Sequence, residues 1–360
     1  MGKNEYIETF EKLGIFLEQF GRKANKPIHA APWLEALNSE FLRPMESLVK
    51  TSYLHNPWFT EENIRYALEV TGRSLSAESL VSWLSCYGTP VNRLKQKTVA
   101  VVMAGNVPMV GFHDMLCVLI SGHRIKARLS SKDDRLLKMI TSTILAINKE
   151  FEKTITLEEG TLKDFDAIIA TGSDNTARYF EYYFGKYPNI IRKNRNSAAI
   201  IDGRETKKEL ERLAHDIFRY FGLGCRSVSK IYVPAGYDFA GLIEAFGTYS
   251  HLHDHNQWAN NYEYQRAIHL IDKIPHIDSG FLLIRENSSF SSPVAVLNYE
   301  NYDRVEAALA SLSAAGDKLQ CITGRQFFNN RIIPLGKAQE PGLDDYADNI
   351  DTLGFLLNLK

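Results

Sequence analysis

The chain has 360 residues, 44% of them hydrophobic, and a formal net charge of −1 at pH 7. This length and composition allow a large core and favour two domains, while the near-zero charge gives no electrostatic reason to expect nucleic acid or an anionic membrane as a partner. Four cysteines without a C-x-x-C pattern, and an N-terminus that is charged and amphipathic rather than signal-like, predict a reducing, cytoplasmic setting.

Residues 1–95 are predicted to form a helical region. Apolar residues recur there every three or four positions, and proline or glycine separates the successive stretches. These stretches are 6–20, 33–48, 61–70 and 79–88.

From residue 98 onward, short β-branched segments alternate with helical patterns. The strand-like segments are 98–104, 124–130, 166–172, 189–193 and 197–202, and the helical patterns among them are 109–121, 133–151 and 175–186. Strands that alternate with helices of this length predict βαβ units and a parallel sheet. Polar residues interrupt the most apolar run, 98–122, so it is not predicted to span a membrane.

A second α/β stretch is predicted to follow Cys225 and to end near residue 325. It combines strand-like segments at 229–234, 280–284, 294–299 and 319–323 with helical patterns over 238–250, 257–272 and 302–315. The tail 349–360 is apolar enough to pack against the core or against another subunit. The predicted fold class is therefore α/β, with an N-terminal helical region.

Cys225 lies at a predicted junction between a helix and a strand. Thr206 and Glu209 form the S/T-x-x-E pattern that starts the helix, and 229–234 is the strand. Such a junction exposes a side chain, and the neighbouring cation of Arg226 favours the thiolate form. Cys225 is therefore the candidate reactive cysteine.

The other three cysteines have different surroundings. Cys117 and Cys321 lie in apolar segments, where a buried and unreactive thiol is expected. Cys86 ends a helical pattern, and its sequence setting leaves its exposure open.

Two glycine-containing motifs suggest phosphate-binding turns. "GLGCRS" at 222–227 is close to the dinucleotide fingerprint, but it follows a helix and precedes a strand, which is the wrong order. "ATGSDNTAR" at 170–178 has the right order, with Gly172 permitting close backbone approach and Ser173 able to cap a helix. The second pattern alone is compatible with a ligand contact and with an ordinary turn.

A polar cluster contains His251, His253, Asp254 and His255. On a helix, His251 and His255 would share one face with the spacing of metal ligands. The alternative is a solvated loop, which the lack of a second ligand cluster favours. We therefore predict no metal site.

Three segments together resemble the aldehyde dehydrogenase superfamily, and most closely its bacterial-luminescence-type fatty acyl-CoA reductase branch. They are "MAGNVPMVGFHDMLCVLISGHRIKARLSSKD", "ATGSDNTARYF" and "FGLGCRSVSKIYV", in that order. The resemblance covers roughly residues 98–336. It implies an aldehyde-dehydrogenase-like fold with an N-terminal helical region (1–95), a Rossmann-like nucleotide-binding domain (96–215), an α/β catalytic domain (216–325) and a C-terminal arm (326–360) that returns to the core or to a partner subunit.

The resemblance also implies roles for single residues. Cys225 matches the catalytic nucleophile, and Asn106 matches the asparagine whose amide completes the oxyanion hole. Gly172 and Ser173 match the turn against the cofactor pyrophosphate. The residues that match the strand end at the adenosine ribose are Arg128, Ser130 and Ser131. Glu286 and Phe290 lie near, but not in register with, the family's glutamate and phenylalanine at the nicotinamide ribose.

The cofactor is predicted to be NADP, with NAD as the alternative. Arg124, Lys126, Arg128 and Lys132 crowd the segment that resembles the adenosine-ribose strand. Arginine and lysine suit a 2′-phosphate better than the ribose-binding acid expected for NAD. Because strand residues alternate, Arg128 and Lys132 are the candidates to face the ligand.

One family residue has no counterpart. Hydrolytic aldehyde dehydrogenases carry a glutamate upstream of the cysteine that activates water, whereas this chain has no acid between Phe184 and Asp202, and Arg192 lies near the expected place. An acyl-cysteine would then survive for transfer to or from a thiol. Two interpretations of Arg192 are open, a contact with the CoA phosphates and a solvated surface arginine, and its charge-rich setting favours the second.

The predicted function is accordingly reduction of an acyl-CoA, through an acyl-cysteine thioester, to an aldehyde. The substrate is an acyl-CoA or an acyl-protein, an acyl-protein synthetase is a possible partner, and a homo-oligomer is expected. Two alternatives stay open: a hydrolytic aldehyde dehydrogenase whose acid comes from elsewhere, and a non-catalytic paralogue that serves as a binding or assembly subunit.

Overall fold

The computed structural model describes residues 3–21, 31–88, 95–325 and 332–360. The chain divides into two compact units, one formed by Met1–Asn194 with Gly342–Lys360 and the other by Arg195–Pro341. The predicted boundaries at 95 and 325 adjoin stretches outside the described residues. Residues 196–215, predicted as part of the nucleotide-binding domain, belong to the second unit, because their strand pairs within its sheet.

A five-stranded parallel sheet forms the centre of the first unit, in the order β3-β2-β1-β4-β5. Its strands are β1 (Thr98–Val102), β2 (Arg124–Arg128), β3 (Ile155–Leu157), β4 (Ala167–Thr171) and β5 (Asn189–Arg192). The central strand β1 pairs through Val101 with Ala127 on one side and Ile169 on the other. Its buried, continuously apolar sequence is typical of a strand covered on both faces.

Helices account for most of the rest of the first unit. They are α1 (Lys3–Glu18), α2 (Pro32–Leu37), α3 (Arg43–Thr51), α4 (Glu61–Ser74), α5 (Ala77–Ser85), α6 (Phe112–Ile120), α7 (Asp134–Ile147), α8 (Asp174–Phe184) and, near the C-terminus, α13 (Thr352–Leu357). The N-terminal helices confirm the predicted helical region. The apolar tail packs within the same unit, where α13 contacts α6.

A seven-stranded sheet forms the second unit, in the order β12-β11-β6-β7-β10-β9-β8, parallel except for the β8–β9 pair. Its strands are β6 (Asn196–Ile200), β7 (Val228–Pro234), β8 (Ile277–Asp278), β9 (Leu283–Glu286), β10 (Val296–Tyr302), β11 (Leu319–Gly324) and β12 (Ile333–Pro334). Its helices are α9 (Lys207–Phe218), α10 (Ala240–Phe246), α11 (Asn256–Ile271) and α12 (Val305–Ala315). The alternation of strands and helices confirms the predicted α/β class.

No helix in the described part of the chain is long and apolar enough to span a membrane.

Candidate active site

Three strands of the first unit end at one edge of its sheet, and each is followed by predicted site residues. Asn106 follows β1, Arg128 to Ser131 end and follow β2, and Gly172 and Ser173 follow β4. Since parallel strands place their carboxyl ends together, these residues share an edge. In this strand order the crossover connections reverse between β1 and β4, where α/β sheets commonly bind ligands.

Asn106 lies in an exposed position within the loop that joins β1 to α6, which we call the Asn106 loop (residues 103–111). The residue is not a helix cap, because α6 begins at Phe112 and its N-cap is Gly111. Met109 in the loop adopts a positive φ of 62°, and its amide donates to Asp133 Oδ2 over 2.8 Å. A buried carboxylate therefore fixes the backbone three residues after Asn106.

Asp133 is buried, and this raises the pKa of its carboxyl well above the usual value, with the Met109 hydrogen bond acting in the opposite direction. Its Oδ1 has no hydrogen-bond partner among the described residues. Burial without a compensating cation favours the neutral acid.

The segments after β1 and β2 pack tightly against each other. A Cβ on Gly105 would lie 2.5 Å from Ser130 Oγ, so only glycine fits beside Asn106. Ser130 Oγ also accepts a hydrogen bond from the Lys132 amide. Arg128 is exposed at the strand end, whereas Lys126, two residues earlier on the same face, donates to the Lys163 carbonyl.

Ser173 caps α8, as the sequence predicted. Its Oγ accepts a hydrogen bond from the Thr176 amide over 3.3 Å. A Cβ on Gly172 would lie 2.9 Å from the Thr176 side chain. The Thr176 and Phe180 side chains therefore pack closely against Gly172 where the strand turns into the helix.

Cys225 lies in the turn that precedes β7, which we call the Cys225 turn (residues 223–227), and its side chain is partly exposed. The predicted helix-to-strand junction is therefore confirmed, including the capping box of Thr206 and Glu209. The Ser227 amide donates to the Gly224 carbonyl over 3.0 Å, and the buried Ser197 Oγ donates to the Cys225 carbonyl over 2.9 Å.

The chain reaches this turn through an unusual backbone conformation. Tyr220, Phe221 and Gly222 have positive φ angles of 56°, 57° and 69°. A non-glycine residue costs roughly 1–3 kcal/mol in this region, and it persists only where packing enforces it. Here both aromatic side chains are buried, and the Phe221 ring lies 4.4 Å from the His255 ring.

A buried carboxylate also secures the Cys225 turn, through residues far away in the sequence. Asp216 on α9 accepts hydrogen bonds from the amides of Gly336 (2.7 Å) and Ala338 (3.0 Å). The Ala338 carbonyl accepts from Arg226 Nε, and Gln339 Nε2 donates to Ser227 Oγ over 3.2 Å. No local pattern in the sequence indicates this role of Asp216, because its partners lie 120 and 122 residues away.

Arg192 corrects one of our expectations. It is 3% exposed rather than solvated, donating to Asp114 Oδ2 over 2.5 Å and to Thr352 Oγ1 over 2.8 Å. Burial opposes its charge, but Asp114 outweighs this and leaves the pKa of Arg192 above its usual value. The position near the hydrolytic glutamate of the family thus holds a structural ion pair.

The structure separates the remaining cysteines. Cys117 and Cys321 are buried as expected, and burial raises the pKa of the Cys117 thiol well above its usual value. Cys86 is exposed. Cys321 Sγ lies 3.1 Å from Ser197 Oγ, the hydroxyl that also holds the Cys225 carbonyl.

The segment after β9 is held by a buried lysine. Lys230 Nζ donates to the Ser288 carbonyl over 2.8 Å and pairs with Glu300, and it lies 4.6 Å from the centre of the Phe290 ring. Glu286 accepts from Asn301 Nδ2 over 3.1 Å. Both Glu286 and Phe290 therefore have partners within the second unit.

The three histidines of the polar cluster each meet a different aromatic ring. His255 is the N-cap of α11 and contacts Phe221, while the rings of His251 and His253 neighbour Tyr249 and Tyr262. No group of three or more potential metal ligands is found within residues 3–21, 31–88, 95–325 and 332–360.

Residues 91–242 match the family model described as Acyl-CoA reductase (LuxC). No match was found among curated protein sequences.

Solved structures of aldehyde dehydrogenases share the fold. Aldehyde dehydrogenase 21 from Physcomitrella patens, in complex with the reaction product succinate, is 11% identical with a TM-score of 0.69, over 99% of this chain and 84% of that one. An indole-3-acetaldehyde dehydrogenase of P. syringae with NAD+ is 16% identical with a TM-score of 0.59, over 86% and 70%. An NADP-dependent enzyme of E. coli is 13% identical with a TM-score of 0.58, over 95% and 82%.

These matches confirm what the three sequence motifs indicated. Asn106 lies in the first unit and Cys225 in the second, and both fall within the residues that the family model covers. The chain has the fold of the aldehyde dehydrogenases, and its residues 91–242 are similar to the acyl-CoA reductase (LuxC) family.

Proposed function

We propose that the protein reduces activated acyl groups to aldehydes through a thioester on Cys225, with NADP as its cofactor and NAD as the alternative. The observation that carries this proposal is the Cys225 turn, in which a partly exposed thiol stands on a backbone held by Ser197, Arg226 and Gln339. A nucleophile fixed in this way loses little entropy when it attacks.

In the proposed first step the Cys225 thiolate attacks the acyl carbon of a thioester substrate. A carbon–sulfur bond forms to Cys225, and the bond to CoA breaks, so that CoA leaves as a thiolate without requiring a strong acid. The Asn106 carboxamide and the Cys225 backbone amide are the proposed donors to the tetrahedral oxyanion. Each such hydrogen-bond donor typically lowers the activation free energy by about 2.7–4 kcal/mol.

Residues at the carboxyl edge of the five-stranded sheet fit a nucleotide cofactor. Exposed Arg128, Ser131 and Ser173 stand at or just after strand ends, and partly exposed Gly172 precedes Ser173 at the turn into α8. We assign the pyrophosphate to Gly172 and Ser173, and the adenosine ribose to Arg128, Ser130 and Ser131. A bound reduced nicotinamide would supply the hydride that the acyl carbon must receive.

We further propose that the acyl-cysteine resists hydrolysis. Arg192 near the hydrolytic position is locked to Asp114 and Thr352, and a cation cannot act there as a base for water. A thiol, which ionises readily, can discharge the thioester where water cannot. This property separates the proposed acyl-CoA reductase from a hydrolytic dehydrogenase.

The test is intact-mass measurement after incubation with a panel of acyl-CoAs and with an acyl-carrier protein, without reductant. We expect one acyl group on Cys225, stable in buffer and removed by added CoA. With aldehyde and oxidised cofactor, acyl-CoA should form when CoA is present and little free acid when it is absent. Free acid at equal rates with and without CoA would establish the hydrolytic alternative, and no acylation by any donor would favour the non-catalytic one.

The same experiment compares acyl-CoA with acyl-carrier protein as the acyl donor, and the result indicates which partner delivers the acyl group. Acylation by carrier protein but not by CoA esters would point to delivery by an acyl-protein synthetase. We also propose a homo-oligomer and a cytoplasmic location, for which size-exclusion chromatography with light scattering and cell fractionation are the direct measurements.

A further inference from the structure

The Asp216 carboxylate sits between the helix that precedes the Cys225 turn and the loop that supports it. Asp216 is 0% exposed, and its two oxygens accept from two different amides, those of Gly336 and Ala338. The second of these peptides is held at both ends, because its carbonyl accepts from Arg226 Nε. Arg226 immediately follows Cys225 in the chain.

Close packing requires this arrangement. Gly336 has a φ of +84°, and a Cβ there would lie 2.8 Å from the Arg212 Cβ on α9. The loop can therefore approach α9 only with glycine at this position, and the approach delivers its amides to Asp216. Gln339 extends the contact by donating to Ser227 Oγ.

We propose that Asp216 is a positioning residue for the Cys225 turn, acting through the Ala338 peptide and the Arg226 guanidinium. We call this set the Asp216 clamp. It deepens the proposed function, on which it rests for the role of Cys225. The ionised Asp216 carboxylate attracts the Arg226 cation and accepts strong hydrogen bonds from both amides. The neutral acid forms weaker interactions with all three groups, so ionisation strengthens the clamp.

The clamp operates at a pH that is accessible in solution. Burial raises the pKa of Asp216 to about 7, while the amides of Gly336 and Ala338 and the charge of Arg226 pull it down. Glu340 in the same loop raises it. Below pH 6 the carboxyl is mostly protonated, and above pH 8 it is mostly ionised.

The experiment measures alkylation of Cys225 by iodoacetamide between pH 5.5 and 9, using peptide mapping so that exposed Cys86 in the first unit serves as an internal reference. In the wild type we expect the Cys225-to-Cys86 rate ratio to change through a step centred near pH 7. Asp216→Asn should remove that step. It should also lower kcat at pH 8 by about tenfold to a hundredfold, with the KM for the cofactor unchanged.

Two further variants make the result specific. Arg226→Met removes the guanidinium that links the Ala338 peptide to the Cys225 turn, so the step near pH 7 should be lost although Asp216 is still present. Asp278→Asn is the matched control. Asp278 lies on the edge strand β8 and accepts hydrogen bonds from the Tyr262 hydroxyl and the Gly280 amide, so its replacement should leave the alkylation profile of Cys225 unchanged.

A wild-type profile in Asp216→Asn, a step that stays near pH 7 in Arg226→Met, or an identical change in Asp278→Asn would overturn the proposal. Should Asp216→Asn fail to fold, Arg226→Met decides alone. Retained activity in Cys225→Ala would instead refute the proposed function, while the alkylation profile of Cys225 would still decide whether the clamp exists.

Discussion

The Asn106 loop and the Cys225 turn are built in a similar way, with strained backbone and a buried aspartate, but the two aspartates have different electrostatic surroundings. Each includes or follows non-glycine residues with positive φ, Met109 in one and Tyr220 and Phe221 in the other. Each is also tied to a buried aspartate. The Asn106 loop is bonded directly to Asp133 through the Met109 amide, whereas the Cys225 turn reaches Asp216 through Arg226 and the Ala338 peptide. Asp133 has one amide donor and an oxygen without a partner within the described ranges, whereas Asp216 has two amides and the nearby charge of Arg226.

The difference shifts the pKa of the two aspartates to different extents. Burial raises both pKa values, well above the usual range for Asp133 and to about 7 for Asp216. The larger burial effect on Asp133 goes with its single amide donor and its lack of a nearby cation among the described residues. Asp216 changes charge near pH 7, which couples the Cys225 turn to pH in this range.

The largest effect is expected on removing the thiol. Cys225→Ala should abolish both covalent acylation and reductase activity, since Cys225 is the proposed nucleophile. Cys321→Ala, which changes a buried sulfur next to the same Ser197 hydroxyl, is the control and should mainly lower stability. Steady-state rates and intact mass measure the two effects, and an active Cys225→Ala enzyme would refute the nucleophile assignment.

Replacing Asn106 should have the next largest effect. Asn106→Ala should lower kcat by about 10²–10³ with little change in the KM for the cofactor, if its carboxamide donates to the oxyanion. Because Asn106 is exposed and α6 is capped at Gly111, the melting temperature should hardly change. An unchanged kcat would remove Asn106 from the site.

Cys225, Ser173 and Arg192 show how much of the site could be predicted from the sequence. The junction at Cys225 and the cap at Ser173 depend on neighbours a few residues away, and local patterns fixed both. Arg192 was predicted wrongly because its partners Asp114 and Thr352 lie 78 and 160 residues away, and its polar flanks suggested a surface. Burial of a charge depends on distant partners that no local pattern reveals.

A pH series on stability would sharpen the comparison of the two aspartates. A folded pKa near 7 against an unfolded value near 4 means that Asp216 contributes stability below about pH 4 that is lost as the pH rises through 7, up to about 4 kcal/mol in all. Asp216→Asn should therefore flatten the decline in unfolding free energy between pH 5 and 7.5. Asp133→Asn should also reduce the decline, because burial raises the pKa of the Asp133 carboxyl well above its usual value.

Urea midpoints measured from pH 5 to 9 test this pair. Asp278→Asn is the control, since the pKa of Asp278 lies below its usual value despite burial, because of the Tyr262 and Gly280 hydrogen bonds, and its contribution is lost only under acidic conditions. Equal slopes in the wild type and in both variants would mean that neither carboxyl is held at a raised pKa.

The smallest effect concerns the choice of cofactor. Arg128 is exposed at the end of β2, whereas Lys126 on the same face is engaged by the Lys163 carbonyl, so Arg128 is the better candidate to meet a 2′-phosphate. Arg128→Ser should raise the KM for NADPH by about tenfold, the loss of one charge-assisted contact, and leave the KM for NADH nearly unchanged. Arg124→Ser is the matched control, because Arg124 begins the same strand at the opposite edge of the sheet. If Arg128→Ser raises both KM values equally, the residue contacts the adenosine ribose that both cofactors share. A wild-type KM for NADH at or below that for NADPH would establish NAD as the cofactor.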